Sequence, residues 1–279
     1  MDYLKINLSL APFQPWSEIL TADLANIGFD SFTESDEQLQ AFIPLDNFDD
    51  LKFTQLINSY NQQQFKISFT KEEIPNQNWN AVWESNFKPV EVNKELIIYA
   101  PFHEVNVNEY NYSIEIQPQM SFGTGHHQTT YLLSKAILKE ELNEKTVLDV
   151  GTGTGILGLL ASKKGAKTVL GTEIDQGSFE NALENIKRNN ISNFQVKLGD
   201  IATVPNVKYD FIIANINKNV LKRHLNQYNN LAKSGTVLFL SGFFDADVTE
   251  LENSAKENNF EMIELMIHET WAVMRLLKQ

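Results

Sequence analysis

The sequence of 279 residues contains no cysteine. This absence excludes disulfide bonds, thiolate catalysis and zinc sites with sulfur ligands. No segment approaches the roughly 18 consecutive apolar residues that a membrane-spanning helix needs. The first residues also lack the basic and apolar regions of a secretory signal. We therefore expect a cytoplasmic protein with no membrane partner.

Positive charge is also scarce. Lysine and arginine total 23 against 36 aspartate and glutamate residues, which gives a formal net charge of -13. Because binding to a nucleic-acid backbone depends on neutralising phosphates with lysine and arginine, this balance disfavours a nucleic-acid partner. An acidic surface attracts a basic protein, or it serves only to keep the chain soluble, and charge leaves both interpretations open. We expect a monomer.

The length of the chain favours two domains. In the first part, strand patterns lie over residues 3–10, 31–35, 38–43 and 65–69, and helical spacing lies over residues 17–27 and 48–60. This β-α-β-β-α-β order is the ferredoxin-like arrangement. We predict that residues 1–74 form a small ferredoxin-like α+β domain. We interpret it as a substrate-recognition domain, although many binding modules share this fold.

Residues 71–80 are polar and include Pro75, which indicates a linker or a domain edge. Trp79 and Trp83 are four residues apart, a spacing that favours a packed helical stripe over a ligand-stacking role. Strands are predicted over residues 95–99 and 112–116. We assign residues 75–110 to a linker with connecting strands.

The remaining residues, 111–279, alternate between strands and helices. The predicted strands are residues 146–150, 168–172, 195–198, 209–214 and 236–240, and the predicted helices are residues 156–164, 178–190, 217–231 and 245–258. This alternation predicts an α/β doubly wound parallel sheet. Residues 262–267 and 271–277 are two strands joined by a link too short for a parallel crossover, so they form an antiparallel hairpin. A parallel sheet that ends in such a hairpin is typical of Rossmann-like class I methyltransferases rather than of dehydrogenases.

A glycine-rich turn follows the first of these strands. Gly151, Gly153 and Gly155 stand in the pattern G-x-G-x-G, between a buried strand and a helix. The dinucleotide pattern G-x-G-x-x-G would place its last glycine at position 156, which is Ile156. A pyrophosphate needs an exposed helix N-terminus, whereas a nucleoside with an amino-acid tail needs only close approach to the backbone, which glycine allows. The turn therefore favours S-adenosyl-L-methionine over NAD. A tight turn with a purely structural role is the alternative.

Glu173 lies at the end of the next strand, 20 residues or so after the turn. A carboxylate there can accept hydrogen bonds from ribose hydroxyls, although an ordinary acid at a strand end is the alternative. Asp175 is better interpreted as the N-cap of the following helix. Asp200, just past the third strand, is a candidate acceptor for the adenine amino group, and a surface loop is the alternative.

A second glycine-rich loop, residues 120–130, precedes a helix. His126 and His127 are adjacent in it and point in different directions, so they form a poor chelating pair, and we predict no metal site. We interpret His127 as a structural hydrogen-bonding residue, with a role as catalytic base as the minor alternative. Asn215, at the carboxyl end of the fourth strand, is a candidate for orienting a substrate amine.

Three segments together resemble one known family. They are Phe122-Gly-Thr-Gly-His-His-Gln-Thr-Thr130, Ala214-Asn-Ile216 and Leu240-Ser-Gly242. They are similar to motifs of the bacterial ribosomal protein methyltransferases that modify large-subunit ribosomal protein eleven.

The resemblance implies that Thr130, Gly151, Glu173 and Asn215 contact the cofactor, with Phe122 and Thr124 forming the wall around the methyl donor. The chain departs from the family pattern at Gln128, Thr152 and Glu173, where proline, cysteine and aspartate are more usual.

The hypothesis that combines these observations is methylation of amino groups on that ribosomal protein, with S-adenosyl-L-methionine as donor. Lysine side chains are the first candidates, and the N-terminal α-amine is a further one. A methyltransferase that acts on a small molecule or RNA is the alternative among enzymes. A non-catalytic protein that binds S-adenosyl-L-methionine as a structural or sensing ligand is the alternative from another class.

Overall fold

A computed structural model describes residues 2–35, 38–61, 66–74 and 84–279. The chain divides into two compact units, Met1–Asn86 and Phe87–Gln279. No helix among the described residues is long and apolar enough to cross a membrane.

The described residues 2–35, 38–61 and 66–74 of the first unit include four strands and two helices. They are β1 (Tyr3–Ala11), α1 (Trp16–Asn26), β2 (Ser31–Ser35), β3 (Gln38–Pro44), α2 (Asp50–Asn61) and β4 (Lys66–Ile74). The strands form one antiparallel sheet in the order β2-β3-β1-β4. The β-α-β-β-α-β order expected from the sequence is observed.

Buried apolar residues alternate with more exposed residues along β1, so that one face of the sheet packs into a single core. Leu4, Ile6, Leu8 and Leu10 are buried and pack in one cluster with side chains of α1 and α2. The residues between them lie on the opposite face of the sheet, as period-two alternation requires.

The segment expected to be a linker begins with a strand. β4 continues to Ile74 and pairs with β1 over its whole length, so residues 71–74 belong to the sheet. Pro75, Trp79 and Trp83 lie outside the described residues.

Three short strands open the second unit. They are β5 (Val90–Val92), β6 (Leu96–Tyr99) and β7 (Tyr112–Glu115), with β5 antiparallel and β7 parallel to β6. Val92, Leu96, Ile98 and Ile114 join the core of this unit. Residues 87–110, which the sequence analysis placed in a connecting segment, therefore pack as part of the second unit.

A seven-stranded sheet forms the centre of the second unit. Its elements are α3 (Gln128–Leu138), β8 (Thr146–Val150), α4 (Ile156–Lys163), β9 (Thr168–Glu173), α5 (Gln176–Arg188), β10 (Phe194–Leu198), β11 (Tyr209–Asn215), α6 (Lys218–Leu231), β12 (Ala232–Phe244), α7 (Val248–Glu257), β13 (Phe260–His268) and β14 (Trp271–Lys278). The strand order is β10-β9-β8-β11-β12-β14-β13. The first five strands in that order are parallel, and β14 pairs antiparallel with both β12 and β13. The predicted doubly wound sheet with its terminal hairpin is confirmed.

Helices cover both faces of this sheet, and two apolar clusters lie between them and the strands. One cluster includes residues of α3 and α4, and the other includes residues of α6 and α7. The chain passes from β8 to β9 on one side, whereas β11 lies on the other side of β8. Ligands bind at such a switch point, beyond the carboxyl ends of the strands.

Candidate active site

A cavity of about 510 Å³ opens at this switch point. Six of the nine residues selected from the sequence line it: Phe122, Gly151, Gly153, Glu173, Asp200 and Asn215. The cavity extends from the carboxyl end of β10, where Asp200 lies, past β9 and β8 to that of β11, where Asn215 lies. Four strand ends thus contribute to one site, as the parallel sheet requires.

The glycine turn follows β8 directly, and its conformation is fixed by its own chain. Gly151 and Gly153 have positive φ values of 71° and 56°. A Cβ atom on Gly151 would lie 2.4 Å from Ile216 Cγ2, and one on Gly153 would lie 2.3 Å from the carbonyl oxygen of Phe122. Glycine is therefore required at both positions before any ligand is considered, since neighbouring segments occupy the space of a side chain.

Gly155 has a different position from the other two glycines. It is the N-cap of α4 with φ 84°, and a Cβ atom there would face Phe194 and Ala182 rather than the cavity. The structure therefore places it against the packed side of the turn, outside the cavity wall.

Glu173 connects the end of β9 to the glycine turn. One carboxylate oxygen accepts a hydrogen bond from Gly153 N–H at 2.9 Å. The other accepts from the N–H groups of Ile174 and Asp175, at 2.8 and 3.1 Å. Since a carboxylate has about four lone-pair directions, roughly one remains for a ligand.

Asp149 is a buried acid that the sequence analysis did not select. It is 1% exposed within β8, and its Oδ2 accepts hydrogen bonds from the Thr152 hydroxyl and from Gly158 N–H. Burial raises the pKa of this carboxyl to about 6, against the opposite effect of its hydrogen bonds. The sequence signal was an acid inside an otherwise apolar strand, immediately before the glycines.

Asn215 contributes a polar atom without a partner. Its side-chain oxygen is buried, lies on a residue of the cavity wall and accepts no hydrogen bond from any described residue. A buried acceptor of this kind costs about 1–3 kcal/mol when unsatisfied. Asp200, by contrast, caps a short helical turn through the N–H of Ala202.

The loop before α3 is bonded to the glycine turn. The Phe122 carbonyl accepts from Thr154 N–H at 2.9 Å, and the Gly123 carbonyl accepts from the Thr154 hydroxyl at 2.6 Å. His127 is the N-cap of α3 and accepts from the N–H of Thr129. This geometry supports the structural role expected for His127, and burial lowers the pKa of its imidazole.

Two further residues selected from the sequence lie in this loop and in the first turn of α3, and neither lines the cavity. Thr124 bonds to the ring of His126, whose other nitrogen contacts the Lys88 carbonyl. Thr130 is fully buried, and its hydroxyl has no partner among the described residues. Within the described parts of the chain, no group of three histidine, aspartate or glutamate side chains could hold a metal ion.

The cavity also includes side chains that sequence reasoning missed. Ile174 and Ile201 supply apolar surface near Asp200, and Arg223 and His224 of α6 lie on the same wall. Their positions depend on the strand order, because residues after β9, β10 and β11 meet only in the folded sheet. Burial lowers the pKa of His224 as well.

We predict that Asp149 contributes stability that decreases as the pH rises. Because its pKa is raised in the folded state, the folded chain holds this proton more tightly than the unfolded chain. The resulting stabilisation is fully present below about pH 4 and is lost as pH rises through about 6. Asp149→Asn cannot titrate, so its free energy of unfolding should rise relative to the unsubstituted protein by about 3 kcal/mol between about pH 4 and 7.5.

Chemical denaturation of both proteins at several pH values measures this difference. A variant whose free energy of unfolding stays constant or falls relative to that of the unsubstituted protein over that interval would contradict the raised pKa.

Comparison with known proteins agrees with the geometry. A family model described as "Ribosomal protein L11 methyltransferase (PrmA)" matches residues 23–279. A protein named ribosomal protein L11 methyltransferase from Phocaeicola vulgatus is 34% identical over 280 residues, 99% of each chain. One of the same name from Bacteroides fragilis is 36% identical over 282 residues, covering 99% of this chain and 100% of that protein.

Solved structures show the same relationship. The crystal structure of a ribosomal protein L11 methylase from Lactobacillus delbrueckii subsp. bulgaricus superposes with a TM-score of 0.65 and 28% identity, covering 69% of this chain and 100% of that one. A methyltransferase from Pyrococcus furiosus, at TM-score 0.50 and 19% identity over 59% of this chain and 88% of that one, shares the fold. The chain therefore belongs to the ribosomal protein L11 methyltransferase (PrmA) family.

Proposed function

We propose that this protein transfers methyl groups from S-adenosyl-L-methionine to amino groups of ribosomal protein L11, with lysine side chains as the main acceptors. The observation that carries this proposal is the cavity at the switch point. Its wall includes a carboxylate held by backbone N–H groups, that of Glu173, and the side chain of Asn215. The names of the relatives, together with the net charge of -13, support a basic protein substrate.

The site fits a nucleoside with a cationic sulfur better than a dinucleotide. A pyrophosphate needs free N–H groups at a helix N-terminus, but Gly153 N–H already donates to Glu173 and Gly158 N–H donates to Asp149. An anion there would meet two carboxylates instead of free donors. A sulfonium has the opposite charge and encounters no such repulsion.

Different residues of the cavity wall would contact different parts of the donor molecule. The Glu173 carboxylate would accept from a ribose hydroxyl, and Asp200 would accept from the adenine amino group between the apolar side chains of Ile174 and Ile201. The backbone at Gly151 would lie against the amino-acid part. Asn215 is then left at the end nearest the transferred methyl group.

When bound, S-adenosyl-L-methionine supplies a methyl carbon to which the amine lone pair bonds as the carbon–sulfur bond breaks, with the electron pair kept by sulfur and a proton lost to water. The chain's contribution is positioning of the amine. Asn215, on the cavity wall at the end of β11, is the residue proposed to orient the amine with its lone pair in line. Burial lowers the pKa of His127 and of His224, and in this proposal water, not an enzyme base, takes the proton.

The first unit is proposed as the part that binds the substrate protein. Its core consists of residues from β1 to β4 and the two helices, and it shares no residue with the core clusters of the second unit. Residues that form the cavity all belong to the second unit. Recognition and methyl transfer can therefore be separated experimentally.

The direct test is methylation of purified ribosomal protein L11 with labelled S-adenosyl-L-methionine, followed by mass spectrometry of its peptides. We expect label on lysine side chains. The initial rate should rise several-fold per pH unit between about pH 7 and 9, because the neutral fraction of a lysine amine rises about tenfold per unit below its pKa. Label on ribosomal RNA instead of the protein would refute the substrate, and a rate that is flat over this interval would point to an enzyme base.

We predict that Glu173→Gln weakens the binding of S-adenosyl-L-methionine about tenfold or more. The amide would place an NH₂ group against backbone N–H donors and would remove a charge-assisted acceptor, a loss of roughly 1.5–3 kcal/mol. Glu173→Asp, which keeps the carboxylate, is the matched control. Calorimetry measures the two dissociation constants, and equal affinities for Glu173→Gln and the unsubstituted protein would rule out the ribose contact.

Removing residues 1–86 should spare the binding of S-adenosyl-L-methionine and abolish methylation of ribosomal protein L11. The reason is that the cavity and both apolar clusters of the second unit remain intact. Calorimetry with the donor and the mass-spectrometric assay measure the two effects. Full methylation by the shortened chain would show that the first unit is not the recognition element.

A further inference from the structure

Four aromatic side chains form a continuous series of contacts beside the cavity. The ring of Phe122 lies 5.0 Å from that of His127, which lies 4.7 Å from Trp271, which lies 4.3 Å from Phe244, all as centroid distances. We name these four residues the aromatic row. One end of the aromatic row belongs to the cavity, because Phe122 lines it.

The strand order places the aromatic row on one side of the cavity. The cavity extends from β10 to β11, and the next strands beyond β11 are β12 and β14. Phe244 is the last residue of β12 and Trp271 the first of β14, and these two residues pair with each other. The aromatic row therefore lies past Asn215, on the side opposite Asp200.

The backbone holds these rings in place. The Phe122 carbonyl is bonded to Thr154 N–H, His127 caps α3, and Phe244 and Trp271 are fixed by strand pairing. Phe122 and Phe244 are nevertheless 50% and 47% exposed. Large aromatic side chains that are both rigid and half-exposed offer apolar contact area at low entropic cost.

Negative charge lies next to the aromatic row. Asp245 follows Phe244, and its N–H donates to the carbonyl of Thr270, the residue before Trp271. Glu269 accepts a hydrogen bond from the side chain of Gln128, next to His127. Both acids are exposed, and neither forms an ion pair with lysine or arginine within the described parts of the chain. Aromatic faces beside carboxylates are suited to a cation on an apolar stem.

We propose that the aromatic row holds the acceptor lysine, with its methylene stem along Phe244 and Trp271 and its nitrogen beside His127, whose ring lies between those of Trp271 and Phe122. This inference rests on the proposed function. During transfer, positive charge moves from sulfur to nitrogen, and the aromatic faces stabilise it there by cation–π interaction. The same contacts retain a mono- or dimethylated ammonium, so that one lysine receives more than one methyl group before it leaves.

The first test compares Trp271→Leu with Trp271→Phe, which keeps an aromatic face, and with Tyr110→Leu as a matched control outside the aromatic row. We expect Trp271→Leu to raise the KM for ribosomal protein L11 about 5- to 30-fold, as loss of a desolvated cation–π contact implies. Its products should shift from di- and trimethyl to monomethyl lysine at equal total turnover. Trp271→Phe and Tyr110→Leu should stay within about threefold of the unsubstituted protein.

Two measurements separate this effect from damage to the fold or the donor site. Thermal unfolding checks that each variant is folded, and calorimetry should give an unchanged dissociation constant for S-adenosyl-L-methionine, since Trp271 does not line the cavity. A changed donor affinity in Trp271→Leu would assign the residue to the donor site and overturn the proposal.

The second test needs no turnover. In a nitrogen-15 spectrum of the full chain, the indole signal lost in Trp271→Phe identifies Trp271. Tetramethylammonium chloride, which has the charge and methyl groups of a trimethylated amine, should shift that signal, whereas sodium chloride or tert-butanol at equal concentration should not. The absence of a selective shift would overturn the proposal that the aromatic row is a cation site.

The outcomes distinguish this inference from the proposed function. A protein that methylates no lysine of ribosomal protein L11 refutes the function, and the tetramethylammonium shift then reports on the aromatic row by itself. A protein that methylates ribosomal protein L11 normally, with the same KM and the same products in Trp271→Leu, refutes the aromatic row and leaves the function standing.

Discussion

The glycine turn after β8 depends on two carboxylates that hold it from opposite sides. Asp149 accepts from the Thr152 hydroxyl and from Gly158 N–H inside the sheet, and Glu173 accepts from Gly153 N–H at the cavity. The turn must keep positive φ values against close neighbours, so these bonds fix the backbone on which the donor would lie. Burial of one acid raises its pKa, while the other keeps an acceptor direction for the ligand.

The fold could be predicted because its signals are local. β2 and β8 begin and end at the predicted residues, since turn-forming residues flank each strand. β12 was predicted to begin at Thr236 but begins at Ala232. Ser234 and Gly235 are typical of a turn, yet the Thr236 hydroxyl donates to the Tyr209 carbonyl and Ala232 pairs with Tyr209, which extends the strand. A tertiary contact thus outweighed a local preference.

The sequence predicted part of the site. It predicted less of the physical reasons why these residues are needed. Six of the nine selected residues line the cavity, because each stands at a strand end or in a glycine turn that the sequence marks. The glycines, however, are required by Ile216 and by the Phe122 carbonyl, which are far away in the sequence. Asp149 was missed although an acid in an apolar strand marks its position, because its hydrogen bonds to Thr152 and Gly158 are visible only in the fold.

The terminal hairpin determines where Trp271 lies relative to the site. Since β14 runs antiparallel to β12, its first residue lies at the edge of the sheet where the parallel strands end. A parallel strand in the same place would bring its last residue to that edge and carry Trp271 to the far side of the sheet. The reversal therefore brings an aromatic side chain beside Phe244 and His127. In the proposed function, β9 and β10 would serve the donor nucleoside, β8 its amino-acid part and β11 the reacting end, which would leave β12 and β14 for the acceptor.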